Sequence, residues 1–397
     1  MILSYKYRVY PDEDAVEKMF SAMNTHRIMW NRLLELCLRG YDEWGMRLPS
    51  KYDLRNKVIL WRKRNRWLQK LNAKSLEITV FRLHTAFTTF FSLQKKGQKD
   101  SRPPRYKARD RFKTLSFQGV EGNRVQGIKL KADSIEIRGV GSIPIHMHRE
   151  MYGVPKRATI RMQGAKWYVS ISCDIGGPDP TIPTAIASHQ GSAVGVDAGH
   201  KYYVATSDGM KIVHPRWYRE AQKERKRLSR IVARRKPKPF QKGSLGYRKA
   251  KRALSVHEEK VASRRHDFQH KLARTLCERY RIIVLEKLET KKMSEDSRFS
   301  KGWADTGFST FVSLLQQKAE MWGVKVLEVD PAYTSQMCSE CGYIDRANRK
   351  TQSSFVCLTC GHAENADINA AKNILQRGIE KLQKKKTRKK PRKLVTI

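Results

Sequence analysis

Two pairs of cysteines near the carboxyl end of the chain constrain its folding more than any other feature. Each pair has the form Cys-x-x-Cys, and 15 residues separate Cys338 and Cys341 from Cys357 and Cys360. Such a turn presents two thiolates side by side, and a glycine follows each pair here. The spacing predicts a zinc ribbon, in which four sulfurs hold a structural Zn²⁺ in a closed tetrahedral site. Two redox-active dithiols are the alternative.

The charge of the chain indicates a polyanionic partner. Its 397 residues include 81 Lys and Arg against 38 Asp and Glu, which gives a formal net charge of +43. Such an excess repels itself, and nucleic acid is the partner that we expect to neutralise it. A binder of nucleic acid without chemistry is the alternative. An anionic membrane surface is disfavoured, because the basic residues are not confined to one amphipathic helix.

The composition excludes several other classes of protein. With 40% hydrophobic and 9% aromatic residues, the chain can form two or three cores and is not a disordered protein. It lacks an apolar run of about 18 residues and the apolar core of a secretory signal. Cys37, Cys173 and Cys277 are scattered in apolar stretches, which indicates core residues and no disulfide framework. We therefore expect a protein of a reducing cytoplasm, without a membrane partner.

Hydrophobic periodicity in the first half predicts helices followed by short strands. Residues 1–10 alternate like a strand, and a helix begins after Pro11. Its expected buried face consists of Val16, Phe20, Met23, Trp30, Leu34 and Cys37. A second helix is predicted over 73–95, and the basic segment WRKRNRW (61–67) between them is either a nucleic-acid contact or a helix with two buried tryptophans. Short alternating runs then predict a small β-barrel or sandwich, at 114–117, 127–130, 134–137, 158–162 and 167–173.

A Gly- and Pro-rich linker (176–184) leads into a second half with the pattern of a mixed α/β sheet. A strand over 193–196 ends at Asp197, and a buried strand over 281–285 ends at Glu286. The other expected elements are strands at 201–207, 210–213 and 325–329, a helix at 309–322, and a last helix that begins at Asp367. A basic helical region lies between the strands, and residues 381–397 form a basic tail that we expect to be disordered.

Three acidic residues stand at the ends of these elements. In a mixed sheet, strand ends can converge at one edge, so Asp197, Glu286 and Asp367 could hold two Mg²⁺ or Mn²⁺ ions about 4 Å apart. Such a pair activates a water and stabilises the oxygen that leaves a cleaved phosphodiester. Each acid by itself has a structural interpretation, as a turn cap, a surface residue or a partner of the helix dipole. Together they predict catalysis.

The chain resembles the TnpB family of transposon-encoded RNA-guided nucleases, whose motifs also occur in compact type V CRISPR effectors. The motifs that carry the resemblance are GVDAGHKYYVATSDG (195–209), VLEKLETKKM (284–293), VDPAYTSQMCSECG (329–342) and CGHAENADINAAKNI (360–374). Weaker matches upstream follow the order of the family, at YKYRVYP (5–11), LHTAFTTFF (83–91), PPRYKAR (103–109) and KWYVSISCDI (166–175). One departure is Asn365-Ala366, where some members carry Arg-Asp.

The resemblance implies a RuvC-like nuclease domain of RNase H fold at 190–335 and 362–380, with a zinc-ribbon insert at 336–361. It also implies a wedge-type β-barrel at 1–10 and 103–180, with a helical recognition domain at 11–102. Asp197, Glu286 and Asp367 match the catalytic acids of the family. The implied partners are a guide RNA and double-stranded target DNA, which is cut beside a short transposon-adjacent motif. The polar face of the helix at 73–95 is the candidate that would read this motif.

An RNA–DNA heteroduplex of roughly 20 base pairs needs a positive channel that grips its backbone. The basic helical region supplies candidates for nucleic-acid binding, namely Lys223, Arg225, Lys226, Arg227, Arg230, Arg234 and Arg235. For any one of them, a solvated helix face is the alternative. Three rival functions stay open: a compact type V CRISPR effector with an array-derived guide, a guided DNA-binding repressor, and a strand-transfer transposase. A monomer on one guide RNA is the favoured assembly.

Overall fold

A computed structural model of the chain describes residues 2–42, 48–98, 100–109, 111–118, 127–176, 193–199, 201–238, 241, 243–288 and 305–388. The chain separates into two compact units, Met1–Gly177 and Pro178–Ile397. Most of the predicted linker, the start of the predicted nuclease domain at 190–192 and the tail beyond residue 388 lie outside the described residues.

Within the described part of the first unit, seven strands form one antiparallel sheet in the order β2-β6-β7-β1-β5-β4-β3. The strands are β1 (Ile2–Val9), β2 (Thr114–Gln118), β3 (Ile128–Leu130), β4 (Ser134–Ile137), β5 (Gly141–His146), β6 (Val154–Gln163) and β7 (Lys166–Asp174). The five predicted short runs coincide with strands, but β5 is an additional strand that alternation did not single out. Ile143 and Ile145 alternate on its buried face, but Pro144 between them lacks a ladder donor, which argues against a strand at the level of sequence.

The described part of the first unit also contains four helices, α1 (Glu13–Asp42), α2 (Lys51–Arg64), α3 (Arg66–Gln69) and α4 (Ala73–Lys95). Of these, α1 and α4 contact β2, and α2 contacts α3 and α4. Helix α4 begins at an Asn72 cap, whose side-chain oxygen accepts the N–H of Ser75 at 3.1 Å. The expected stripe of α1 is wrong at Phe20, which is 41% exposed and contacts Trp167 edge-on. Met19 occupies the buried face instead, because the stripe follows 3.6 residues per turn.

The helices and the sheet of the first unit share one hydrophobic core. Trp61 and Trp67 are half-buried and pack against it, which favours a structural role for the two tryptophans of WRKRNRW. The division of this unit into a β-barrel and a helical recognition domain stays a prediction.

In the described part of the second unit, five strands form a mixed sheet in the order β10-β9-β8-β11-β12. The strands are β8 (Ala193–Ala198), β9 (Tyr202–Thr206), β10 (Lys211–Val213), β11 (Ile282–Glu286) and β12 (Lys325–Val329). β8, β9 and β10 form an antiparallel meander, whereas β8, β11 and β12 run parallel. Helices α5 (Trp217–Arg234) and α6 (Leu245–Arg279) lie between β10 and β11, and α7 (Phe308–Trp322) precedes β12.

The sheet lies between two helical layers. Val194, Val196, Ile283 and Leu285 pack with α6 and α7 on one face. On the other face, Val284 and Leu327 pack with Ile374 of α8 (Ala366–Arg388). Side chains alternate along a strand, so residues at even spacing from Val284 also face α8.

The cysteine segment, residues 330–365, lies between β12 and α8. It contains a short antiparallel pair, β13 (Ser354–Val356) and β14 (Ala363–Asn365), and β14 leads directly into α8. The expectation of a disordered tail from residue 381 is wrong for 381–388, because α8 continues to Arg388. Leu382 packs against the core of this face, and Lys381 donates to the carbonyl of Glu328 at 2.6 Å. These contacts extend the helix, since tertiary packing stabilises helices more than propensity does.

Candidate nuclease site

Asp197 and Glu286 lie at the carboxyl ends of two adjacent parallel strands. The register pairs Val284 with Gly195 and Leu285 with Val196, so Glu286 follows opposite Asp197. Neighbouring strands are about 4.8 Å apart, and residues two positions apart share a face. Both carboxylates therefore project toward the face that α8 covers.

Two glycines allow α8 to lie directly on these strands. A β-carbon on Gly195 would overlap the carbonyl oxygen of Ala371 and would lie 2.7 Å from the backbone nitrogen of Leu375. A β-carbon on Gly378 would lie 2.6 Å from Cγ1 of Val284. Any larger residue at either position pushes the helix away from the sheet. This close approach brings the start of α8 beside the ends of β8 and β11.

Asp367 stands in the first turn of α8. The Asn365 side chain accepts the N–H of Asp367 at 3.2 Å, and the helix dipole favours an acid at this end. The guanidinium of Arg349, in the segment between the cysteine pairs, lies 3.5 Å from Oδ1 of Asp367. The same nitrogen of Arg349 donates to the carbonyl of Gln352 at 3.0 Å, so the cation is held in place.

All three carboxylates line one cavity of about 800 Å³. Both acidic and basic side chains line it, and the ionisable lining residues are Asp197, Lys201, Glu286, Lys287, Glu328, Asp330, Arg349, Asp367 and Lys381. Thr334 also lines the cavity, and its hydroxyl donates to Oε1 of Glu286. The cavity therefore combines acids that can bind cations with cations that can bind phosphate.

The electrostatics of the site disfavour three bare negative charges. Burial raises the pKa of Asp197 well above its ordinary value, and the carboxylates of Glu286 and Asp367 raise it further. Burial also raises the pKa of Glu286, which the Thr334 hydrogen bond partly offsets. Burial raises the pKa of Asp367 above its ordinary value, and the cations Arg349, Lys211 and Lys201 offset part of this rise. A divalent cation among these oxygens would relieve the repulsion, and carboxylates are the ligands that Mg²⁺ and Mn²⁺ prefer.

The four cysteines form a compact cluster. Within the described residues, theirs is the only group of three or more Cys, His, Asp or Glu ligand atoms that all lie within 4.8 Å of one another. The sulfurs of Cys338 and Cys360 are 3.7 Å apart, and those of Cys341 and Cys357 are 3.5 Å apart. Zn–S bonds of about 2.3 Å in a tetrahedron place sulfurs about 3.8 Å apart, so the cluster fits zinc. Backbone N–H groups of Cys360 and Thr359 lower the pKa of Cys357 to about 6, which favours the thiolate.

All seven predicted nucleic-acid residues are exposed on α5 or immediately after it. Arg225 pairs with Glu258 at 3.1 Å, and Arg227 pairs with Glu224 at 2.7 Å. Arg235 donates to the carbonyl of Gly246 at 3.2 Å. The side chains of the other four form no ion pair or hydrogen bond with another described residue. They recur at helical spacing along one side of α5 and are Lys223, Lys226, Arg230 and Arg234.

Sequence reasoning did not single out Arg349, Thr334, Gly195 or Gly378. Arg349 and Thr334 reach the carboxylates from a loop and a turn, which have no periodicity to interpret. Gly195 carried a usable signal, because a glycine inside a strand often marks the close approach of another backbone. Gly378 carried a similar signal within a helical pattern.

Three family models match the chain. They are the Cas12f1-like TNB domain over residues 308–374, the IS605 OrfB family described as "Probable transposase" over 180–296, and an OrfB "Helix-turn-helix domain" over 1–46. The described residues of that last match form a strand and a single 30-residue helix, so no second helix of such a motif lies in residues 2–42.

The relatives extend over most of the chain. "Putative RNA-guided DNA endonuclease InsQ" of Escherichia coli (strain K12) is 27% identical over 94% of this chain and 92% of its own length. A "Putative RNA-guided DNA endonuclease" of Streptomyces pristinaespiralis is 26% identical, with 95% and 89% coverage. Among solved structures, Cas12f1 in its complex with sgRNA and target DNA matches with a TM-score of 0.58 at 15% identity, covering 91% of this chain and 82% of the other.

The fold of the chain is therefore similar to that of Cas12f1. The chain is similar to the TnpB family of transposon-encoded proteins. None of the described helices is both long enough and apolar enough to cross a bilayer.

Proposed function

We propose that the protein is an RNA-guided endonuclease that cuts double-stranded DNA beside a short transposon-adjacent motif. One observation carries the proposal: Asp197, Glu286 and Asp367, which are far apart in the sequence, line a single cavity. The names of the full-length relatives support it. The partners would be a guide RNA and a target DNA, as in the solved Cas12f1 complex.

The nuclease chemistry requires Mg²⁺ or Mn²⁺. When bound, two such ions would supply an activated water and neutralise the charge that develops on the leaving 3′ oxygen. Asp197, Glu286 and Asp367 would hold them, and the Thr334 hydroxyl keeps the carboxylate of Glu286 oriented. Lys201 and Arg349 line the same cavity and would bind the scissile phosphate. A single such site would cut the two DNA strands in succession.

The remaining assignments follow the same resemblance. The second unit would be a RuvC-like domain of RNase H fold, with a structural Zn²⁺ on the four cysteines. The first unit would contain the wedge barrel and the recognition helices, and the polar face of α4 would read the adjacent motif. The α5 cations would grip the backbone of the guide or heteroduplex. The protein would act as a monomer on one guide RNA in the cytoplasm of a prokaryote.

Cleavage by the RNA-loaded protein tests the proposal. Protein purified with its RNA, whose sequence is read, is mixed with Mg²⁺ and a plasmid that carries the matching target. We expect linear plasmid from the wild type and at least a 10²-fold slower reaction from Asp197→Ala, Glu286→Ala and Asp367→Ala. Gel shifts on the same samples should show unchanged binding. An intact plasmid with a persistent gel shift would instead establish a DNA-binding repressor.

The solved Cas12f1 structure favours one second candidate, a CRISPR effector with the same chemistry. Sequencing of the co-purified RNA separates the two, because a CRISPR guide carries a repeat from an array and a TnpB guide carries a transposon end. The family description "Probable transposase" suggests a third activity, strand transfer. Strand transfer predicts joined DNA products, which a cleavage assay without added ligase detects by their size.

A further inference from the structure

Two asparagines of α8 are completely buried and face the segment that leads into the first cysteine pair. The side-chain nitrogen of Asn369 donates to the carbonyl of Met337 at 2.8 Å, and its oxygen accepts the N–H of Ser339 at 2.9 Å. The side-chain nitrogen of Asn373 donates to the carbonyls of Thr334 at 2.9 Å and Met337 at 2.6 Å. The two side chains, 0% exposed, thus hold residues 334–339 against α8.

The four hydrogen bonds of Asn369 and Asn373, called the clamp below, connect at each end to a candidate catalytic acid. Asp367 precedes Asn369 by two residues on the same helix. Thr334, whose carbonyl Asn373 binds, donates its hydroxyl to Glu286 on β11. A continuous path of hydrogen bonds therefore connects the helix that carries Asp367 with the side chain of Glu286.

The cysteine segment has separate bonds for its own integrity. Asn348, also fully buried, donates to the carbonyl of Gln336 at 3.0 Å and accepts the N–H of Leu358 at 2.9 Å. With the four clustered thiols, these bonds join the two cysteine pairs to each other. The bonds of Asn369 and Asn373 run instead from this segment to the helix.

We propose that Asn369 and Asn373 are positioning residues, which act through Thr334 to fix Glu286 relative to Asp367 in the geometry that binds divalent cations. The proposal rests on the proposed function of these acids. Removal of the amide donors leaves the carbonyls of Thr334, which is buried, and Met337 without these partners, so the segment moves to solvate them. The Thr334 hydroxyl then leaves Glu286, and the two carboxylates lose their fixed separation.

Four variants of the full chain test this role. Asn373→Leu removes the amide that donates to the carbonyls of Thr334 and Met337, at similar size and without charge. Thr334→Val keeps the clamp but removes the hydroxyl, and Thr334→Ser restores it. Gln376→Ala is the matched control, because Gln376 is exposed on the same helix, three residues after Asn373.

Each sample is assayed for zinc content, for target binding, for cleavage rate at saturating protein, and for Mn²⁺ affinity by electron paramagnetic resonance. Asp197→Ala assigns the Mn²⁺ signal to the cavity.

We expect Asn373→Leu and Thr334→Val to weaken Mn²⁺ binding and slow cleavage by about 10- to 100-fold, as partners of metal ligands usually do. Zinc content and target binding should stay at the wild-type level, and Thr334→Ser and Gln376→Ala should match the wild type. Unchanged Mn²⁺ affinity and cleavage in Thr334→Val would overturn the proposal. If Asn373→Leu loses zinc, Thr334→Val decides, because its clamp is intact. A wild type that does not cut DNA, with Mn²⁺ affinity still lowered in Thr334→Val, would refute the nuclease and uphold the positioning role.

Discussion

Gly195 and Ala371 are in such close contact that a single methyl group on Gly195 would occupy the space of the Ala371 carbonyl oxygen. Gly195 is two residues before Asp197 on β8, and Ala371 is one helical turn after Asp367 on α8. The absence of a side chain at position 195 is therefore what allows two of the candidate catalytic acids to meet.

We expect Gly195→Ala to destabilise the second unit by more than about 3 kcal/mol, the upper range for overpacking, because the methyl meets backbone and not a flexible side chain. Denaturant unfolding of the full chain measures this. Gly246→Ala is the control, since a β-carbon there would have no neighbour closer than 3.7 Å. Equal stability of both variants would contradict the close packing of α8 on β8.

His26 should make the first unit sensitive to acid. Its ring bridges Thr79 at 2.9 Å and Ser75 at 3.1 Å, and Ser75 donates to the carbonyl of Ser116 at 2.9 Å. Ser75 therefore accepts from Nε2–H, and in the neutral ring Nδ1 accepts from Thr79. Burial, with a smaller effect of Arg82, lowers the pKa of His26 to about 4.

Because the pKa of His26 is lower in the folded than in the unfolded state, the unfolded chain binds more protons in acid. We therefore expect the contribution of neutral His26 to the free energy of unfolding to be fully present above about pH 6.5. This contribution should fall by up to about 3 kcal/mol as the pH drops toward 4. Thermal unfolding at several pH values measures this loss. His26→Gln should remove most of the slope between pH 4 and 6.5; an unchanged slope would assign the acid sensitivity to other groups.

The cysteine cluster should bind a single equivalent of zinc. Elemental analysis of the purified protein should find it, and Cys338→Ser or Cys360→Ser should remove it, because a structural site needs all four sulfurs. Chelation should lower the unfolding temperature of the second unit. Cys277→Ala should retain the metal, since Cys277 is buried away from the cluster and burial raises its pKa to about 12. Zinc-free wild-type protein with full stability would contradict the assignment.

The α5 cations should differ in their contribution to nucleic-acid binding. Lys223→Gln and Arg230→Gln should each reduce the slope of log K against log salt by about 1, because each lost phosphate contact releases fewer counterions. Arg225→Gln and Arg227→Gln are matched controls with a smaller expected effect, since these cations already pair with Glu258 and Glu224. Filter binding of the co-purified RNA at several salt concentrations gives the slopes. Equal slopes for all four variants would place the contact elsewhere.

Several regular elements of both units could be predicted from the local pattern of apolar residues. The strand Lys325–Val329 and the helix Ala73–Lys95 of the first unit have the bounds that periodicity indicates, and Asp197 and Glu286 lie within one residue of their strand ends. These elements are regular, apolar on a defined face and bounded by turn residues. The end of α8 could not be predicted in this way, because tertiary contacts extend the helix there. Leu382 packs against the core beside β12, and Lys381 donates to the carbonyl of Glu328 in β12.

The sequence by itself determined the cysteine spacing, the strand and helix periods and the positions of three acids at element ends, because each depends on residues close together in the chain. Only the tertiary structure decided which side chains surround those acids. Arg349, Thr334 and the asparagines of α8 reach the site from separate segments, and no local pattern records a contact between them. That arrangement depends on how closely α8 packs on β8 and β11, which is a property of the assembled layers.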